Sequence, residues 1–164
     1  MTVSLSVEPG VVDPLRVELT PLPVMLEGME VVTDRLATMQ TRLQRRRRAT
    51  ATSTRAFELE RLTSSPSPDM LDFLQLESGL HTMRCGRGGM GGLCILRRGR
   101  WTRPRVYIDE VPAIGGMEQL TMYRPQEFYL VEVYASGLQI RAYTHNFMER
   151  MARQPVALSP IFMR

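Results

Sequence analysis

Two apolar runs limit what this chain can fold into. Val106-Tyr107-Ile108 and Tyr129-Leu130-Val131-Glu132-Val133-Tyr134 are rich in β-branched and aromatic residues, and turn and helix signals lie between them. That pattern predicts a strand, a crossover and a second strand in one sheet. Asp109 closes the first strand. Pro125 opens a short helical turn before the second, where its missing N–H leaves nothing unpaired. No metal-ligand cluster and no nucleophile with its base sits beside either run. The expectation is a segment that folds and is held, with no catalytic residue, no metal and no cofactor.

The length of 164 residues suits one domain with an appendage. All 21 basic residues are arginine, which reads as the habit of a GC-rich bacterial genome before it reads as function. A net charge of +4 permits acidic partners without requiring them. No run reaches the ~18–20 apolar residues of a membrane helix. Met1–Val7 lacks the basic and apolar regions of a secretory signal, so the chain is expected to be cytoplasmic or a piece of a longer one. Cys85 and Cys94 lack CxxC spacing and form no metal pattern with His81 and His145.

Residues 1–33 read as an extended, strand-rich appendage broken by Pro9, Pro14, Pro21 and Pro23, with a last strand-like stretch over 26–33. Residues 34–53 read as a basic linker. Leu36, Met39 and Leu43 allow a short helix that Arg45-Arg46-Arg47-Arg48 ends, before a small, polar link up to Thr54. Residues 54–164 read as the main domain. Thr54 is expected to cap a helix through Arg61, and Ser67 a second, with Pro68 first inside it and Gly79 closing it. Met70, Leu71 and Leu74 make its stripe, with Phe73 at the margin. His81–Cys85 and Leu93–Leu96 read as strands joined by a Gly-rich hairpin, and Arg97–Pro104 as a basic loop around Trp101. Met117–Tyr123 reads as a helical turn. Residues 138–154 are mixed, with Phe147, Met148 and Met151 near helical spacing, and 156–163 suggest a last strand.

The fold class expected is α+β: a small mixed β-sheet with packed helices. Its core draws on Leu71, Leu74, Val106, Ile108, Leu120, Leu130, Val131 and Val133.

The order of these pieces resembles the plug domain of TonB-dependent outer-membrane receptors. Residues 54–61, the SP-x-MLDFL stretch within 67–80, the Arg- and Gly-bearing strand at 82–88, VYIDEVP within 104–112 and PQEFYLVEVYASG within 120–137 follow the family's order. Residues 17–33 resemble the tail of an upstream carboxypeptidase-regulatory-like domain, so the likeness spans about residues 15–137. The chain departs from the family at Glu110, where a glycine usually follows the aspartate, and in lacking the C-terminal Cys-Gly strand. No barrel follows in this sequence, and an outer-membrane barrel takes far more chain than this. The resemblance implies a non-enzymatic gating or partner-binding module at the periplasmic face of the bacterial outer membrane. Its partners would be TonB or an outer-membrane barrel.

Each candidate site has a plainer reading beside the functional one. Glu30, Val31, Val32 and Thr33 stand where the family has the segment that pairs with TonB by strand addition; they also read simply as a strand. Arg45, Arg46, Arg47 and Arg48 are anion-contact candidates, for nucleic-acid or lipid phosphates; a solvated linker is the simpler account. With Arg97–Arg105 they support the alternative of an Arg-rich cytoplasmic nucleic-acid-binding protein. Gly86–Gly92 lacks the lysine of a phosphate loop and reads as a hairpin tip. Cys85 and Cys94 are either two buried thiols or a bridge across that hairpin. Asp109, Glu110 and Glu132 read as turn and surface residues. Trp101 suits core packing or a guanidinium stacked at the surface.

Overall fold

A computed structural model of the protein describes residues 28–86, 91–154 and 157–161. The chain starts with α1 (Gly28–Ala49), β1 (Thr54–Glu58), α2 (Leu59–Thr63) and α3 (Met70–Ser78). Three short strands follow, β2 (Thr82–Arg84), β3 (Leu93–Arg97) and β4 (Arg100–Thr102). Then come β5 (Arg105–Ile108), β6 (Val111–Pro112), two 3-10 helices (Gly116–Met122 and Pro125–Glu127), β7 (Phe128–Tyr134), β8 (Gln139–Thr144) and α4 (His145–Arg153).

The strands form two sheets. A five-stranded sheet has the order β1-β7-β8-β5-β6, and a three-stranded antiparallel one the order β2-β3-β4. The large sheet is mixed, because β5 runs parallel to β8 while the other neighbours are antiparallel. The class is α+β, as expected. The runs at 106–108 and 129–134 do share a sheet, but β8 lies between them. Sequence reading missed β8 because Arg141 in its centre looks like a surface residue. Its alternation of Gln139, Arg141 and Tyr143 with Ile140 and Ala142 was the available signal.

That alternation gives the sheet two unlike faces. One carries Val131, Val133, Ile140 and Ala142, which join Phe57, Phe73, Leu74 and Leu120 in the main apolar cluster. The other carries Leu130 and Tyr143, covered by Met39 and Leu43 of α1 and by Phe147, Met148 and Met151 of α4. Seven of the eight expected core residues are buried; Ile108 packs partly buried against the main cluster. Phe73, expected at the margin, is fully buried and meets Phe57 edge-on at 5.1 Å.

Several local expectations yield to tertiary pairing. The extended stretch over 26–33 is helical from Gly28 onward, and the rest of the 1–33 appendage lies outside the described residues. The helix does not stop at the arginine run but continues through Ala49. Thr54–Glu58 is a strand in place of a capped helix, because Phe57 pairs with Val131 and buries there; helical backbone starts only at Leu59. Asp69, in place of Ser67, caps α3, its Oδ1 accepting from the Asp72 amide at 2.9 Å. Gly79 closes α3 with a left-handed φ of 65°, as read. The basic loop at 97–104 is partly a hairpin, with Arg98-Gly99 as its two-residue turn. Residues 157–161 form no strand.

Gly137, in the β7–β8 turn, has a φ of 95° and no room for a side chain. A Cβ there would lie 2.6 Å from Leu80 Cδ2 and 2.9 Å from Ile95 Cδ1. Gly137→Ala is expected to destabilise by about 2 kcal/mol in urea unfolding, through strain and overpacking together. Gly99→Ala, at a site with open space around it, should lose less than half of that.

Candidate functional site

Register puts charge in the middle of the sheet. Ala56, Glu132, Arg141, Tyr107 and Pro112 stand opposite one another on successive strands, in one row on the face covered by α1 and α4. Glu132 and Arg141 are 0 and 1 % exposed. Such charges need partners, since an unpaired buried charge is strongly unfavourable.

The partners converge on Glu110. It sits with Asp109 in the two-residue turn between β5 and β6, and both have positive φ, 68° and 54°. Aspartate tolerates that backbone; glutamate there costs about 1 kcal/mol or more. The carboxylate offsets the strain. Its Oε1 accepts from Arg46 Nη1 at 2.6 Å and from the Tyr143 hydroxyl at 2.7 Å. Its Oε2 accepts from Arg141 Nη1 and from the Ser159 amide, the latter at 3.0 Å. Helix α1, the central sheet and the C-terminal segment are thus tied to one side chain.

Arg46 extends the cluster to Glu132. Its Nη2 donates to Glu132 Oε2 at 2.9 Å and also to the Tyr143 hydroxyl. Tyr134 donates to the same Glu132 oxygen at 2.8 Å, and Arg47 Nε reaches the other at 3.4 Å. Arg141 lies over the Tyr107 ring at 4.6 Å and donates to the Pro160 carbonyl at 3.1 Å. With its amide oxygen turned toward Arg141, Gln139 accepts from Nε at 2.7 Å.

The electrostatics follow from this geometry. Burial pushes the Glu110 carboxyl upward, but the Arg46 and Tyr143 hydrogen bonds and the charges of Arg46 and Arg141 win and hold it at about 2. Burial raises both phenols, Tyr134 and Tyr143, and the Glu132 charge raises them further. Arg46 is held protonated: burial works against its charge, but Tyr143, Glu132 and Glu110 outweigh it. Every oxygen of Glu110 has two donors. A carboxylate so satisfied is a joint and a poor proton acceptor for chemistry.

Asp109, Glu110 and Glu132 were expected to serve turn and surface roles. Asp109 does hold a turn and also braces Thr144, the residue that caps α4, accepting from its amide and hydroxyl at 2.8 Å each. Glu110 and Glu132 are instead the centre of the cluster. Arg45–Arg48 divide: Arg45 and Arg48 are exposed, while Arg46 and Arg47 turn inward. The solvated-linker account fails for that inner pair, and the nucleic-acid reading loses half of its first basic stretch. Glu30–Thr33 lie in the first turns of α1, so they present helix and no strand edge. Cys85 and Cys94 are joined as a disulfide across the β2–β3 pair. No guanidinium lies over Trp101 among the described residues.

Among the described residues no group of three metal-binding side chains converges, and no helix is long and apolar enough to cross a membrane. A surface groove of about 850 Å³ opens beside the start of α4, between Asp109, Tyr123, Glu127 and His145. It touches the ion cluster only through Asp109, so the cleft and the converging charges are separate features. No protein-family model, curated protein or solved structure matches this chain.

Proposed function

We propose that the chain is a non-enzymatic, plug-like module of a TonB-dependent outer-membrane uptake system, working as a gate or partner-binding piece at the periplasmic face. The observation that carries this reading is the order of elements along the chain, with β5 and β7 in one mixed sheet. A helix closed by left-handed Gly79 precedes an Arg-rich strand pair. Then come β5 with its Asp109 turn, and a Pro125 turn leading into β7. That order is the one the resemblance implies.

The joint between α1 and the sheet suits such a role. Met39 and Leu43 give it a small apolar seam, and Arg46 and Arg47 give it ion pairs to Glu110 and Glu132. The apolar seam lies nearer the N-terminal end of α1 and the ion pairs nearer its C-terminal end, so a pull on α1 from its N-terminal side would load the seam first and the cluster last. Pairing of residues 30–33 with a partner's sheet edge requires the first turns of α1 to unwind. Val31, Val32 and Thr33 ease that step, since β-branched residues are weak helix formers.

Titration against the TonB C-terminal domain tests the reading. The intact chain should bind, and Val31→Pro with Val32→Pro should weaken binding at least tenfold, because proline donates no ladder hydrogen bond. Absence of binding, or binding indifferent to both prolines, removes the strand-addition role.

A further inference from the structure

Charge is distributed unevenly over this molecule. Residues 78–108 contain seven arginines and no aspartate or glutamate; with the whole chain at +4, the remainder is net −3. Outside that segment, Arg46, Arg47 and Arg61 have carboxylate partners within 4.0 Å, and so does Arg141. Within it, Arg84, Arg98 and Arg100 are exposed, and none has such a partner among the described residues.

The same segment builds the small sheet β2-β3-β4. Met83 stands opposite Cys94, and Leu96 opposite Trp101. Opposed residues, and residues two apart on one strand, share a face. These four therefore make one face. The other carries Ile95, fully buried in the main core. On the outer face Met83, Leu96 and Trp101 are 43, 43 and 44 % exposed. The Cys85–Cys94 bond ties the first two strands together. Arg98 stands at the tip of the β3–β4 turn, in a left-handed conformation with φ 48° that carries it beyond the strands.

We propose that this outer face of the small sheet docks on an anionic lipid surface. The apolar centre is aliphatic and thioether with one indole, which is what an acyl–headgroup boundary accepts: leucine and methionine below, tryptophan at headgroup level. Arg98, at the turn tip next to this face, extends its stem along that boundary and places its guanidinium against lipid phosphates. Arg84 and Arg100 alternate with Met83 and Trp101 to the other face and add only to the positive field of the segment. A nucleic acid would be served differently. Its bases call for several stacking rings or for side-chain amides that read base edges, and this face has one ring and no amide. The proposal does not rest on the plug-like reading: TonB titration and lipid binding can fail separately.

Trp101 is the only tryptophan and lies on the proposed face, so the unmodified chain reports on itself. Its emission should shift to the blue with vesicles of phosphatidylcholine and phosphatidylglycerol, and stay unchanged with phosphatidylcholine alone. High salt should reverse the shift and release the chain from sedimenting vesicles. Arg98→Gln should lower the partition coefficient about fivefold, and Arg100→Gln, on the opposite face, by less. Leu96→Ser should lower it by as much as Arg98→Gln at unchanged net charge. Arg35→Gln with Arg45→Gln, which removes twice the charge of Arg98→Gln from exposed sites on α1, should leave binding as it was. Circular dichroism confirms that each variant folds, and the salt and lipid arms on the unmodified chain need no variant. The proposal is overturned by equal response to both vesicle types or by no response. It is equally overturned by capture of a single-stranded oligonucleotide in place of vesicles, or by α1 variants as weak as the sheet variants.

Discussion

Replacing Arg46 by methionine should destabilise the protein by about 3–5 kcal/mol, the range for breaking a buried ion pair by removing one partner. Arg46 holds two carboxylates at once, Glu110 and Glu132, and its loss leaves the fully buried Glu132 with only Arg47, at 3.4 Å, and the Tyr134 hydroxyl. Methionine keeps the stem that packs along α1, so the loss is chiefly electrostatic. Urea unfolding of Arg46→Met, Glu110→Gln and the double variant separates the terms. The double variant should be less destabilised than the two single losses added, by about 1–3 kcal/mol, because both remove the same interaction. Arg45→Met, one residue away on the exposed side, should stay within about 0.5 kcal/mol of the parent chain. Equal effects at positions 45 and 46 would show that α1 is not anchored through the cluster.

Stability should also fall steeply in acid, and Glu110 should account for much of the fall. Its folded-state value of about 2 lies below the ordinary 4.5. A depressed carboxylate contributes stability that is complete above its unfolded value and is lost as pH falls through the folded one. The window is therefore from about pH 5 down to about 2, and the size roughly 3 kcal/mol for a shift of this extent. Glu110→Gln should be less stable than the parent at neutral pH and show a flatter acid limb, the two curves approaching each other near pH 2. At the other end the sign reverses. Tyr134 and Tyr143 are raised, so their contribution is complete below pH 10 and is lost as pH climbs above it. An acid limb unchanged in Glu110→Gln would assign the low value to another carboxylate.

A buried cluster of this kind is weak evidence for stability as such, since an apolar replacement of equal shape is often as stable. What it does secure is register. Glu110, Glu132 and Arg141 meet only if β5, β7 and β8 pair as they do; slipping one strand by a residue would turn a charge into the apolar cluster on the opposite face. The left-handed Glu110 fits the same view. Glycine would relax the turn but would remove the side chain that joins α1, the sheet and Ser159.

Much of the body was legible in local sequence. The strands at Val106 and Tyr129 announced themselves by β-branched and aromatic density, and α3 by its stripe and by Gly79. The Pro125 turn followed from the fixed φ of proline. The Thr54 strand was not legible, because a capping residue before Arg-Ala-Phe-Glu-Leu looks helical until Val131 is there to pair with Phe57. Strand β8 was written in an alternation that a central arginine disguised.

The α+β class and most element positions were decided by the chain itself, because hydrophobic period, proline and glycine act within a few residues. The fate of its charges was decided by tertiary structure. Arg46 meets Glu110 across 64 positions and Glu132 across 86, so nothing near it in sequence distinguishes it from the exposed Arg45 beside it. A charge goes inside only where distant segments bring it a partner, and a run of four arginines looks the same whether or not that partner exists.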